Sequence, residues 1–145
     1  PVIQTVFSSD FLMWVLTTNF QSAMHPMVGI PEGYVFTESE QAMVSDVISS
    51  ILPIKPRTAG FVFDMFTSNL DMDQRPDKYP MESIRVPTMV IHAVDDSLAK
   101  YENAEALAAR IPNAELLSLP SGGHLLLRME ETVRQEIARF IQSVE

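Results

Sequence analysis

Two short apolar runs near the end of the chain constrain its possible fold more than any other feature. The first is VPTMVIHAV at 86–94, and the second is AELLSL at 114–119. The first run is almost unbroken, apolar and β-branched, which is typical of a strand buried on both faces of a parallel sheet. The second run is shorter and also predicts a strand. The segment between them is long enough for the helical crossover that joins parallel neighbours. The sequence therefore predicts two adjacent parallel strands.

A helix is expected after each strand, the first at about 99–110 and the second from about Leu126. Their apolar positions recur at helical spacing, at Tyr101, Ala104, Leu107, Ala108 and Ile111 and then at Val133, Ile137, Phe140 and Ile141. A parallel sheet of two strands with two apolar faces does not stand alone, because it needs helices on both faces and more strands beside it. We therefore expect the sheet to continue in another polypeptide, either a missing N-terminal part of the same protein or a second copy of this chain.

The region before residue 80 has a helical texture instead. Asp10 is the expected cap of a helix over FLMWVLTTNF, and Thr37 with Glu40 forms a capping-box pattern. The helix after Thr37 carries an apolar stripe and is expected to end at Pro53; the stripe is Val44, Val47, Ile48 and Ile51. A third helix is expected over 59–70, with a broad apolar face at Phe61, Val62, Met65 and Phe66, followed by an exposed connection at 71–80.

Composition excludes several classes of function. The chain has 145 residues and a formal charge of −9, from 19 acidic and 10 basic side chains, which argues against binding to nucleic-acid phosphates. No apolar run approaches the roughly 20 residues of a membrane-spanning helix, so no membrane partner is expected. The first 30 residues hold no Lys or Arg, unlike a secretory signal. Cysteine is absent, and a cytoplasmic location is the default expectation.

Each predicted strand opens into residues that can carry chemistry. Asp95 and Asp96 follow the first strand, and Ser121-Gly122-Gly123-His124 follows the second. Because the carboxyl ends of neighbouring parallel strands lie at one edge, about 4.8 Å apart, Asp96 and His124 are expected to meet. A carboxylate that orients an imidazole is the acid and base arrangement of a hydrolytic triad.

Structural roles are the alternatives for these side chains. Asp96 can equally form a turn or cap a helix, and His124 can cap a helix. Asp95 is either a rival for the acid role or a solvated turn residue. His92 is interpreted as a packing histidine inside the strand, and His25 as a surface residue. Trp14 is a candidate to line an apolar pocket, although burial in the core of its own region is the favoured interpretation.

The stretch IRVPTMVIHAVDDSLAKYENAEALAARIPNAELLSLPSGGHLLL at 84–127 resembles the C-terminal segment of α/β-hydrolase fold proteins. The resemblance implies that Asp96 is the triad acid and His124 the base, with Ala93 standing where the family usually has glycine. It also implies an incomplete α/β-hydrolase-like fold of the α/β class, with no cofactor and no metal. Its parts are a helical cap-like region over 1–80 and a two-strand parallel βαβα unit over 81–145, the C-terminal part of the core.

The nucleophile of such an enzyme has no counterpart in the sequence. The family places it on a G-x-S-x-G turn, and no serine here has glycines at both positions. The leading hypothesis is therefore the cap and C-terminal part of a serine-type hydrolase of small esters or related bonds, inactive by itself. The alternatives are a non-catalytic binding or interaction module with a hydrolase-like fold, and an inactive dimer with exchanged strands.

Overall fold

The two apolar runs form the strands of a parallel sheet in the computed structural model, which describes residues 5–144. Strand β1 is Thr88–Ala93 and strand β2 is Ala114–Leu119. They pair in parallel from Thr88 opposite Ala114 to Ala93 opposite Leu119. The predicted pairing of adjacent parallel strands is confirmed, and so is the α/β fold class with a two-strand parallel sheet.

Helices occupy most of the remaining chain. The α-helices are α1 (Asp10–Asn19), α2 (Gln21–Met24), α3 (Glu38–Ser49), α4 (Thr58–Phe63), α5 (Asn69–Gln74), α6 (Tyr101–Arg110) and α7 (Glu130–Val144). A π-helical turn spans Asp64–Ser68, and short 3₁₀ turns lie at His25–Val28, Lys55–Arg57, Pro76–Lys78 and Met81–Ser83. The elements after residue 85 follow the predicted order of strand, helix, strand and helix.

The described residues divide into two compact units. The first holds residues 5–24 and 36–80, and its buried apolar side chains are Phe7, Met13, Met24, Val44, Ile48 and Ile54. The second holds residues 25–35 and 81–144, and its buried apolar side chains are Val28, Ile30, Ala93, Ala104, Ile111, Leu119 and Leu127. The short segment 25–35 thus packs in the same unit as the sheet.

The sheet is less buried than its sequence predicts. Within β1 only Ala93 is fully buried, and the other residues of that strand are half-buried. On α7, Ile137 is 39% exposed and Ile141 is 50% exposed. The reason is that the sheet formed by the described residues has two strands, so each strand keeps one unpaired edge and part of its apolar surface.

The last helix begins later than predicted. The sequence pattern extends helix to about Leu126, but α7 starts at Glu130. Leu126 and Arg128 have φ angles of 53° and 65°, in the left-handed region that a right-handed helix excludes. The residues between His124 and α7 therefore form turns.

The cap of α1 is Ser9 and not Asp10. The Ser9 hydroxyl accepts a hydrogen bond from the Leu12 amide, at 3.3 Å. Asp10 is the first helical residue, and its Oδ1 accepts from the Lys55 amide at 2.9 Å. Ser9 and Asp10 are both of a capping type, so the sequence does not distinguish which of them caps the helix. In the structure Asp10 binds the Lys55 amide and Ser9 is the cap.

The third predicted helix is longer than expected. Helical structure continues through α4, the π-helical turn and α5 to Gln74, so the predicted connection at 71–80 is helical in its first part. Met65 is 50% exposed and Phe66 is 59% exposed, so the expected apolar face is only partly packed. Trp14 is also 50% exposed, and the interpretation that its ring is buried is wrong.

The capping box of α3 is confirmed. The Thr37 hydroxyl accepts from the Glu40 amide at 3.3 Å, and Glu40 Oε2 accepts from the Thr37 amide at 2.6 Å. Val44 and Ile48 of the predicted stripe are buried, and the helix ends at Ser49, before Pro53. This reciprocal pair fixes where the helix begins.

Removal of the capping hydroxyl tests this boundary. We expect Thr37→Ala to lower the free energy of unfolding by about 1 kcal/mol, because the Glu40 amide loses its acceptor. Thr37→Ser keeps the hydroxyl and is the matched control. Chemical denaturation of the three proteins measures the difference, and equal stability of Thr37→Ala and Thr37→Ser would contradict the capping role.

Candidate active site

The loops that follow β1 and β2 leave the sheet at the same edge. The Val94 amide donates to the Leu119 carbonyl at 2.8 Å, which extends the ladder by one bond beyond β1. The chain then continues into Asp95-Asp96 on one side and into Ser121–His124 on the other. The parallel register therefore brings the two loops together, as the sequence predicts.

Asp96 and His124 are in direct contact. Asp96 Oδ2 lies 2.8 Å from His124 Nδ1. The other oxygen, Oδ1, accepts from the amides of Leu98 and Ala99 at 2.8 and 3.0 Å, which closes the turn after β1. The Asp96 side chain is 3% exposed and that of His124 is 44% exposed, so the carboxylate is shielded while the imidazole reaches the surface.

The surroundings of Asp96 favour its ionised form. Desolvation is the largest single influence and raises the pKa, but hydrogen bonds from the Ala99 amide, the His124 ring and the Leu98 amide together outweigh it. The pKa of the Asp96 carboxyl is therefore lowered from its ordinary value. A carboxylate that stays charged in a shielded position is a strong acceptor for an imidazole N–H.

This contact selects one tautomer of the His124 ring. Because an ionised carboxylate only accepts hydrogen bonds, Nδ1 carries the proton that is donated to Asp96 Oδ2. In the neutral ring Nε2 then carries the lone pair. His124 is thus arranged to take a proton at Nε2, with the Asp96 charge placed to stabilise the imidazolium that results.

Asp95 makes contacts that neither of its predicted roles anticipates. Its Oδ1 accepts from the Gly123 amide at 2.9 Å and its Oδ2 from the Gly122 amide at 3.2 Å. It does not contact the His124 ring in the place of Asp96. Its carboxylate instead bridges to the backbone just before His124, which alternation and turn patterns do not reveal.

His92 lies closer to the acid than the sequence suggests. Its side chain is 16% exposed, in agreement with a packing histidine, but Nε2 is 3.0 Å from the Ala99 carbonyl and 3.4 Å from Asp96 Oδ2. As a donor, Nε2–H holds the turn that contains Asp96. The position of His92 inside β1, four residues before Asp96, is the signal that could have indicated this contact. His25, predicted at the surface, is half-buried in the 3₁₀ turn His25–Val28.

The segment 25–35 packs against the loop that carries His124. The His124 amide donates to the Gly29 carbonyl at 3.0 Å. Gly29 has a φ of 66°, and a Cβ there would lie 2.2 Å from His124 Cβ. Arg128 fixes the far end of the segment, because its Nη2 donates to the Val35 carbonyl at 2.6 Å and its guanidinium lies 5.1 Å from the centre of the Tyr34 ring. No local pattern predicts a contact between residues so distant in the sequence.

Two further features are absent from residues 5–144. No cluster there contains three or more His, Cys, Asp or Glu side chains in an arrangement able to hold a metal ion. Within the same residues, no helix combines the length and apolar character that crossing a membrane requires.

The close approach of Gly29 to His124 can be tested with a matched pair of substitutions. We expect Gly29→Ala to destabilise the protein by about 1–3 kcal/mol more than Gly33→Ala, because the new methyl group collides with His124. Gly33 is the control, since it also has a positive φ, of 73°, but a Cβ there meets nothing within 4 Å. Equal unfolding free energies of the two variants would contradict the contact.

The pairing of Asp96 with His124 predicts a measurable change in acidity. We expect His124→Ala to raise the pKa of the Asp96 carboxyl above its wild-type value, because one of the groups that stabilise the carboxylate is removed. Titration of the ¹³C-labelled carboxyl by NMR measures this change. Arg110→Ala is the control, because that guanidinium pairs with Glu82, at 2.7 Å. An unchanged Asp96 pKa in His124→Ala would contradict the pairing.

The same lowered pKa predicts how acid affects stability. Asp96 is deprotonated more readily in the folded than in the unfolded chain. Its contribution to the free energy of unfolding is therefore complete above the ordinary pKa of 3.8, and it is lost as the pH falls through the lower pKa of the folded state. We expect the unfolding free energy of the wild type to fall more steeply than that of Asp96→Asn below pH 3.8. Parallel curves in that range, measured by denaturation, would contradict this expectation.

Comparison with known proteins agrees with this geometry. The family described as TAP-like protein matches residues 67–145, which is more than half of the 145-residue chain and includes both strands, Asp96 and His124. A search of curated proteins found no match. The chain therefore belongs to the TAP-like family of α/β-hydrolase proteins, and it corresponds to a C-terminal part of that fold.

Proposed function

We propose that this chain supplies the acid and the base of a serine-type hydrolase that acts on small esters or related acyl bonds. His124 is the general base and Asp96 is the carboxylate that orients it. The observation that carries the proposal is the 2.8 Å contact between Asp96 Oδ2 and His124 Nδ1 at the carboxyl ends of two parallel strands. Membership of a hydrolase family supports it independently.

The chemistry follows from the tautomer of His124. Nε2 takes the proton of the nucleophile hydroxyl as its oxygen attacks the acyl carbon, and the imidazolium then returns that proton to the leaving group. Asp96 keeps its negative charge throughout and stabilises the imidazolium. The 3% exposure of the Asp96 side chain supports this role, because shielding from water strengthens the interaction between the two charges.

We propose that the nucleophile comes from a polypeptide segment outside these 145 residues. The support is the absence of a G-x-S-x-G turn from the sequence, together with a sheet whose strands remain half-buried. An N-terminal part of the same protein supplies both the nucleophile and the further strands. We call this chain together with that segment the intact protein.

The helical region before residue 80 is proposed as the cap-like region of the hydrolase. Its support is the apolar surface that α1 and the following helices leave open. Phe11 is 68% exposed, Phe20 is 55% exposed and Phe63 is 58% exposed. Exposed aromatic side chains of this kind suit contact with a nonpolar substrate.

A binding module with the same fold is the second candidate function. The missing nucleophile turn favours it, because an acid and base pair without a nucleophile has no group that forms a bond to the acyl carbon of a substrate. The residue at the nucleophile position distinguishes the two. Serine there favours hydrolysis, whereas glycine or alanine favours binding.

The proposed function predicts a strong effect of one substitution. In the intact protein we expect His124→Ala to lower kcat for p-nitrophenyl butyrate by about 10⁴-fold or more, because the triad acts as a unit. Labelling by a fluorophosphonate, in which the activated serine oxygen displaces fluoride from phosphorus, should be lost in parallel. Asp73→Asn, an exposed carboxylate in α5, is the control and should retain activity.

The 145-residue chain by itself provides the complementary measurement. We expect it to hydrolyse no p-nitrophenyl ester, since it lacks the nucleophile turn. Turnover by the isolated chain that disappears in His124→Ala would refute the external nucleophile. An intact protein that neither hydrolyses the ester nor reacts with the fluorophosphonate would refute the proposed hydrolase and favour the binding module.

A further inference from the structure

The carboxylate of Asp95 reaches the backbone of a different loop. Its two oxygens accept separately, Oδ1 from the Gly123 amide at 2.9 Å and Oδ2 from the Gly122 amide at 3.2 Å. These glycines lie 27 and 28 residues further along the chain and directly precede His124. The contact therefore joins the loop of the acid to the loop of the base.

These contacts differ from those of an ordinary turn residue. An aspartate that forms a turn accepts from amides two or three residues ahead, as Asp96 Oδ1 does with Leu98 and Ala99. The two oxygens of Asp95 accept instead from amides of the distant loop, those of Gly122 and Gly123. The neighbouring aspartates thus have separate structural tasks.

The backbone before His124 is shaped to receive an anion. Gly122 and Gly123 both have positive φ angles, and their consecutive amides point to one carboxylate. Successive backbone N–H groups in such a conformation form an anion-binding concavity. Here a side chain of the same protein occupies it, and both glycines are buried.

The geometry points to Asp95 as a positioning residue that fixes the His124 loop against Asp96 and so sets the alignment of acid and base. Asp95 acts through the Gly122 and Gly123 amides and not through the imidazole. The inference rests on the proposed function for its effect on turnover, but its structural part stands on these contacts alone.

The alignment that Asp95 controls has little tolerance. Asp96 Oδ2 and His124 Nδ1 are 2.8 Å apart, and a hydrogen bond weakens beyond about 3.2 Å. The His124 loop is held from a second direction by the Gly29 carbonyl. Loss of the Asp95 contact leaves that loop attached mainly on one side, so we expect the imidazole to sample positions away from Asp96.

The test compares Asp95→Ala and Asp95→Asn in the intact protein. Alanine removes both acceptors, whereas asparagine keeps the shape and one acceptor but turns an NH₂ group toward the other amide. Glu105→Ala, an exposed carboxylate on α6, is the matched control. Two readouts are measured for each variant: the tautomer of the neutral His124 ring by ¹⁵N NMR, and kcat and KM for p-nitrophenyl butyrate.

We expect Asp95→Ala to weaken the preference of the neutral His124 ring for a proton on Nδ1, and to lower kcat by about 100-fold with KM unchanged, the effect of a displacement of roughly 1 Å. Asp95→Asn should be intermediate and Glu105→Ala should match the wild type. A variant that is less stable but keeps the wild-type His124 tautomer and kcat would overturn the inference. If Asp95→Ala does not fold, the same two readouts on Asp95→Asn decide.

The two readouts also separate this inference from the proposed function. If the wild-type intact protein hydrolyses no ester, the hydrolase proposal fails, but the His124 tautomer in the Asp95 variants still supports or overturns the positioning role. If the wild type is active and Asp95→Ala leaves both readouts unchanged, the positioning role fails and the hydrolase proposal stands.

Discussion

The parallel pairing of β1 with β2 is the constraint on which the candidate site depends. Ala93 lies opposite Leu119, so the loops after the two strands start at the same level. A shift of one residue would move one loop by about 3.3 Å along the sheet, which is more than a hydrogen bond tolerates. The contact between Asp96 and His124 is therefore a consequence of register as much as of the two side chains. Hydrophobic strands set the register, and the register sets the chemistry.

The site is also held by groups that are distant in the sequence. Two separate stretches contact the loop of His124, namely the Asp95-Asp96 turn and the segment 25–35. Each long-range contact limits the positions that the imidazole can adopt, and a base that is already oriented needs no reorganisation when a proton is transferred. These contacts hold the backbone of a loop that contains two glycines.

The sequence predicts the parts of the site that local patterns encode. Strand-like runs rich in apolar residues indicate β1 and β2, the Thr37 and Glu40 pair indicates the start of α3, and residues at strand ends indicate Asp96 and His124. The remaining features arise from tertiary contacts. Asp10 binds the Lys55 amide, and Ser9 is the cap of α1. The left-handed backbone of Leu126 and Arg128 makes α7 begin later than predicted. Gly29 and Asp95 contact residues far away in the sequence. The catalytic roles of Asp96 and His124 stay predictions.

The central claim is that Asp96 orients His124 as a base, and the tautomer of the ring tests it most directly. ¹⁵N NMR of labelled histidine distinguishes a protonated from an unprotonated ring nitrogen. At a pH where the ring is neutral, the account predicts a protonated Nδ1 and an unprotonated Nε2 in His124, and loss of this preference in Asp96→Asn. A neutral His124 with its proton on Nε2 in the wild type would contradict the account, because that nitrogen could not then accept a proton from a nucleophile.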